Sequence, residues 1–182
     1  VRDIARYIGS GSAYYLPRFH LMGKGARFLS PNFPAFFLGF FYYFYRKMYL
    51  IGAILLTLNI LASIPYAMVF VPELLISMEI PGVLTLGATQ IARFQQISNL
   101  AQTVNFIVRM VTAFSANRFY YNRVIPAVRK IRLDAEGQPP EAYGHLLQQQ
   151  GGTSKLSIVV VLFILFGCSA AITNVLFYLL IP

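Results

Sequence analysis

MYLIGAILLTLNILASIPYAMVFVP, residues 48–72, runs for twenty-five residues without a charge. As a helix it is about 37 Å long, enough to cross the roughly 30 Å hydrocarbon layer of a bilayer. It therefore predicts a transmembrane helix, with Pro65 as a site for a kink. A second run of this kind follows Lys155 and extends from about Ser157 to Pro182. Between them, Ile97 to Ala116 is apolar enough to suggest a further span, although it contains Arg109. The composition agrees: of 182 residues, 57% are hydrophobic and 12% charged, where a soluble domain carries about 25% charged residues. That balance excludes a soluble enzyme and a disordered chain. The single cysteine, Cys168, excludes a disulfide-stapled module.

Outside these runs the chain is basic, with fifteen Lys and Arg against six Asp and Glu and a net charge of +9. Placing residues 1–47 and 118–155 on the cytoplasmic side gathers thirteen of the fifteen basic residues there. The positive-inside rule then gives three crossings, at about 48–72, 97–116 and 157–182, with the N-terminus inside and a cytoplasmic loop over about 117–155. Residues 33–45, FPAFFLGFFYYFY, hold nine aromatics and no charge. As a helix they reach only about 20 Å, and a crossing there would put Arg46 and Lys47 outside. They read instead as an interfacial or re-entrant aromatic helix.

Residues 1–32 read as an amphipathic cytoplasmic or interfacial collar. A short helix should end at Gly9, and a second should start at Ser12 as its cap and run towards Met22, with Pro17 inside it. Residues 33–182 form the membrane domain. Asn117 to Arg132 should stay helical despite Pro126, and the Glu-, Gln-, Gly- and Pro-rich stretch 134–154 reads as a loop. The fold class is all-α, an integral membrane protein of three transmembrane helices preceded by amphipathic and aromatic interfacial helices.

Three blocks stand out from this background. Asn32-Phe33-Pro34-Ala35-Phe36-Phe37-Leu38-Gly39 leads into Tyr45-Arg46-Lys47-Met48-Tyr49; Tyr14-Tyr15-Leu16-Pro17-Arg18-Phe19 precedes them, and Ala116-Asn117-Arg118-Phe119-Tyr120-Tyr121 follows. Over roughly residues 7–132 this pattern resembles a bacterial family of integral membrane proteins described only as a domain of unknown function. Position 33 carries Phe where that family usually has Trp. The resemblance implies a bacterial cytoplasmic membrane location and no particular reaction. Some relatives carry a zinc ribbon upstream, so a further segment before Val1 would suit the resemblance.

Catalytic patterns are scarce. His20 and His145 belong to no metal-binding spacing, and the Gly-Ser-Gly-Ser and Gly-Lys-Gly stretches lack the spacing of a phosphate loop. No Asp or Glu lies in a predicted span, so the chain has no acid at depth for proton or hydrolytic chemistry. The expectation is a non-enzyme without catalytic residues, cofactor or metal, and without a nucleic-acid partner.

Two constellations remain. Gln95, Asn99, Gln102, Asn105, Arg109, Thr112 and Ala116 follow one another at spacings of three and four, and share an arc of about 140° on a helix. Such a stripe either lines a hydrated path or hydrogen-bonds to other helices. Asn59 and Ser63 on the first span, and Ser169 and Thr173 on the third, offer smaller polar patches. The second constellation is cationic and aromatic: Arg46, Lys47, Arg109, Arg118, Arg123, Tyr49 and Tyr121 are candidates for an anionic-lipid headgroup site at the cytoplasmic level. The expected function is an accessory or scaffold subunit that works through helix packing and anionic lipids, with a protein partner or homo-oligomer. The alternative is a small oligomeric transporter or channel lined by the stripe.

Overall fold

A computed structural model of the chain describes residues 1–25, 30–83 and 86–180. The described residues form eight α-helices and no strand. They are α1 (Arg2–Ile8), α2 (Ser12–Gly23), α3 (Phe33–Leu38), α4 (Phe40–Tyr45), α5 (Tyr49–Ser77), α6 (Ala88–Asp134), α7 (Pro140–Gln150) and α8 (Lys155–Leu180). The chain divides into two compact units. The first comprises Val1–Gly52 and Met110–Ile158, the second Ala53–Arg109 and Val159–Pro182.

Two helices are long and apolar enough to cross a membrane: α5, with a mean hydropathy of 2.1 over its best window, and the helix that ends at Leu179, with 2.6. Only 17% and 6% of those windows are buried within the chain. Leu50, Phe163 and Phe166 are 76%, 72% and 77% exposed. Leaving such side chains in water forfeits about 1.5–3 kcal/mol each. α5 runs past the expected end at Pro72 to Ser77 and contains both Pro65 and Pro72. Val71 and Leu75 on its last turns pack against Leu176 of α8, and this cluster of the second unit holds the helix beyond the proline. The Ile97–Ala116 segment is not among the candidate crossings; its amides and Arg109 dilute the apolar side chains.

The polar stretch at Arg93–Gln96, the expected span and the basic extension belong to one helix of forty-seven residues, α6. Its C-terminal half shows why it stays helical through Pro126. Ala113, Ala116, Asn117, Tyr120, Val124, Val128 and Ile131 are buried, at spacings of one, three and four that place them on one face. Packing of that face outweighs the hydrogen bond lost at the proline.

Three local expectations change. Residues 33–45 are two short helices, because Gly39 takes φ 53° and ψ −129°, a conformation that interrupts the helix and that other L-residues avoid. Ser12 lies inside α2 and makes no capping bond; Gly11, at φ 92°, occupies the cap. The 134–154 stretch is not a plain loop, since it carries α7. Pro139-Pro140 start that helix with φ already suited to it, Leu147 is fully buried, and α7 packs against α1. Gly151 closes it: a Cβ there would lie 2.0 Å from the Tyr7 carbonyl oxygen, so only glycine fits.

Candidate functional site

The three sequence blocks that stand out in the chain meet inside the first unit. Asn32 and Asn117 are almost completely buried, and each amide has its polar atoms occupied. The Asn32 Oδ1 accepts from the Ala35 N–H at 3.0 Å, which caps α3. Its Nδ2 donates to Asn117 Oδ1 at 2.8 Å and to the Tyr42 hydroxyl at 2.9 Å. Asn117 Nδ2 donates to the Tyr14 hydroxyl and to the Ser30 carbonyl, each at 3.3 Å. The Tyr15 and Tyr42 hydroxyls are 2.9 Å apart. Arg18 lies over the Tyr14 ring at 3.6 Å, and its Nε donates to Ser30 Oγ. Buried amides must be paired to be tolerated, and here they are paired to one another across three segments of the chain.

Arg46 lies beside this network, 9% exposed. Its guanidinium carbon is 4.8 Å from the Tyr15 ring centre, 5.3 Å from Tyr120 and 5.9 Å from Tyr45. Nη1 and Nη2 both reach the Ser10 carbonyl at 3.4 Å. The ring faces supply the negative potential that a buried cation needs. Burial pushes the Tyr43 and Tyr120 hydroxyls up to about 12, against the Thr112 hydrogen bond at Tyr43 and the Arg46 charge at Tyr120. Burial also raises Tyr42, with Tyr15 adding to the effect.

The other candidate headgroup residues divide between framework and surface. Lys47, at φ 59°, donates from Nζ to the carbonyls of Gly151 (2.6 Å) and Gln149 (3.2 Å), which terminates α7. Arg123 Nη1 donates to the Lys47 carbonyl. Tyr49 is exposed, and its hydroxyl accepts from Ser157 Oγ at 3.3 Å. Arg118 is exposed over the Tyr121 ring at 5.5 Å, and Tyr121 in turn meets the Phe19 ring at 5.3 Å. Arg109 belongs to the second unit and is half-buried.

Of the polar stripe, Gln95, Asn99 and Gln102 are exposed, while Asn105 and Thr112 are half-buried. The Thr112 carbonyl accepts from the Tyr43 hydroxyl at 2.8 Å. The smaller patches come together in the second unit. Asn59, Ser63, Ser169 and Thr173 line one cleft of about 330 Å³ between α5 and α8, beside Cys168 and Tyr66. His20 and His145 are exposed on α2 and α7.

Asn32, Asn117, Tyr15 and Tyr42 are not recognisable as one network from the sequence. A signal existed for two of them. Asn32 precedes Phe-Pro at a helix start, and Asn117 occupies an apolar position in the repeat of Ala113, Ala116, Tyr120 and Val124.

Comparison with characterised proteins and with solved structures finds no match. The family described as "Protein of unknown function (DUF2628)" matches residues 9–125, which contain all three blocks and the whole network. The match spans more than half of the chain, and the protein belongs to that DUF2628 family.

Proposed function

We propose that the protein is a non-catalytic membrane protein of the bacterial cytoplasmic membrane, an accessory or scaffold subunit with its N-terminus inside and three crossings, at about 48–72, 97–116 and 157–182. The observation that carries this reading is the exposure of α5 and α8, whose apolar windows are 17% and 6% buried. Side chains of that kind need lipid or another chain around them. The tyrosine and asparagine network supports a structural role for the first unit, because the Asn32 and Asn117 amides and the Tyr15 and Tyr42 hydroxyls are spent on internal hydrogen bonds. Arg118, Arg129 and Lys130, exposed on α6, are then the groups available to anionic headgroups, by about 1 kcal/mol each.

Transport is the second reading, favoured by the exposure of Gln95, Asn99 and Gln102. Reconstitution separates the two. Co-purification of a defined partner, with no solute flux from liposomes that hold the chain alone, supports the scaffold; flux from the chain alone overturns it.

A further inference from the structure

Apolar surface and cationic charge meet at one place in the first unit. Pro31, Phe33 and Phe36 on one side, and Met110, Ala113 and Phe114 of α6 on the other, enclose a cleft of about 270 Å³. Asn32 also lines it, but its amide is spent on Ala35, Asn117 and Tyr42. The cleft turns no polar atom towards an occupant. A sugar, a nucleotide or a peptide backbone buried there would find no hydrogen-bond partner, at a cost; a hydrocarbon chain needs none. Phe33, Phe114 and Met110 are 65%, 42% and 37% exposed, so the walls gain when such a chain displaces water.

The cleft has a cationic end. One turn along α6 from Ala113, the Asn117 amide donates to the Ser30 carbonyl and the Tyr14 hydroxyl. That hydroxyl donates in turn to the Pro31 carbonyl. Arg18 is fixed at this level, with Nε on Ser30 Oγ at 3.0 Å, Nη1 on the Tyr14 carbonyl at 2.7 Å and its guanidinium over the Tyr14 ring. Arg118 stands at the same end, one turn or about 6 Å after Phe114, and a long helical side chain leans back over the preceding turn. Arg109, next to Met110, is half-buried and belongs to the second unit, outside this site. The acidic residues are at positions 3, 73, 79, 134, 136 and 141, in none of the segments that form the cleft or its cationic end. The local field is therefore positive.

We propose that this cleft seats one acyl chain of an anionic phospholipid, whose phosphate is held by Arg18 and Arg118. The proposal rests on the membrane reading above. Along α6 the face runs from Arg118, just past the inner end of the crossing, to Phe114 and Met110 within it. That is the order of headgroup and chain in the cytoplasmic leaflet. Guanidinium groups clasp phosphate through paired N–H donors, and basic pockets between helices on the cytoplasmic side bind such headgroups. Arg129 and Lys130 offer charge alone; here the acyl chain fixes the lipid as well.

The chain has no tryptophan, so a single indole reports on one place. Phe33→Trp sets it in the cleft, and Phe166→Trp sets it on α8 at a position 77% exposed. Each variant is reconstituted in phosphatidylcholine vesicles with a small fraction of lipid brominated on its acyl chains, either phosphatidylglycerol or phosphatidylcholine. Quenching of the Phe33→Trp chain should be several-fold stronger with brominated phosphatidylglycerol and should saturate with its fraction. The Phe166→Trp chain should be quenched equally by both. Adding Arg118→Gln, at an exposed position, should remove most of the Phe33→Trp preference. Equal quenching of the Phe33→Trp chain by the two lipids overturns the site, as does a preference that Arg118→Gln leaves unchanged. Quenching by neither lipid means that protein fills the cleft, and overturns it too. Failure of the membrane reading shows separately, as a Phe166→Trp chain that neither lipid quenches, and the site falls with it.

Discussion

Asn32 and Asn117, eighty-five positions apart, share a hydrogen bond of 2.8 Å that ties the start of α3 to the middle of α6. Asn32 gives both of its amide hydrogens in this arrangement, one to Asn117 and one to Tyr42. Asn32→Ala would leave two buried acceptors short and remove the cap of α3. The expected loss is about 2–4 kcal/mol, since each unsatisfied buried group costs about 1–3 kcal/mol. Thermal unfolding followed by near-ultraviolet circular dichroism measures it, and an unchanged midpoint would refute a supporting role for the network.

Gly151 gives the sharpest steric prediction. A methyl group at 2.0 Å from the Tyr7 carbonyl oxygen and 2.7 Å from that of Leu147 meets backbone, which cannot swing aside. Gly151→Ala should detach α7 from α1, and limited proteolysis should then cut residues 134–154 much faster. Gly137→Ala, at φ +85° with open space around it, should cost only about 1 kcal/mol and leave the cleavage rate near that of the parent.

Arg46 and Arg118 should part company when each is changed to Gln. Arg46 is enclosed by tyrosine rings and the Ser10 carbonyl, so its loss should lower the stability of the first unit. Arg118 is exposed, so its loss should reduce the phosphatidylglycerol or cardiolipin retained in native mass spectrometry while the fold persists. Equal lipid retention by the Arg118 variant and the parent would remove that residue from any headgroup site.

Alkaline pH should loosen the first unit. Tyr43 and Tyr120 titrate at about 12 in the folded chain against 10.0 for a free tyrosine. The folded state therefore holds protons that the unfolded state releases, and stability is complete below pH 10 and falls as pH rises through 10 to 12. A tenfold difference in proton affinity between the two states is worth about 1.4 kcal/mol. Tyrosinate absorbance and unfolding should rise together in that window. Ionisation of all tyrosines near pH 10, with no loss of structure, would contradict the burial of these two.

The apolar helices were legible because twenty-five uncharged residues leave few alternatives, and α5 and α8 are where the runs lie. The length of α6 was hidden by Arg93, Gln95 and Gln96 ahead of the apolar segment, whereas its continuation through Pro126 was expected. The burial of Ala113, Asn117, Tyr120 and Val124 on one face decides there, and burial is a property of the neighbours. α7 was hidden for a related reason: its three glutamines and the two prolines at its start look like a loop, and Leu147 is its one buried residue. The cationic residues were found, but not their use. Nothing local to Arg46-Lys47 says that Ser10, Gln149 and Gly151 will bring carbonyls to them.

Pro65 and Pro72 in α5 have a mechanical consequence. Each removes one rung of the hydrogen-bond ladder, leaving the carbonyls of Leu61 and Met68 without the amide four residues on. Seven residues separate the two gaps, so they fall within about 20° of each other around the helix. A rod notched twice on one side is soft in one plane and stiff across it. α5 should flex like a leaf spring, in a direction written by two prolines one heptad apart.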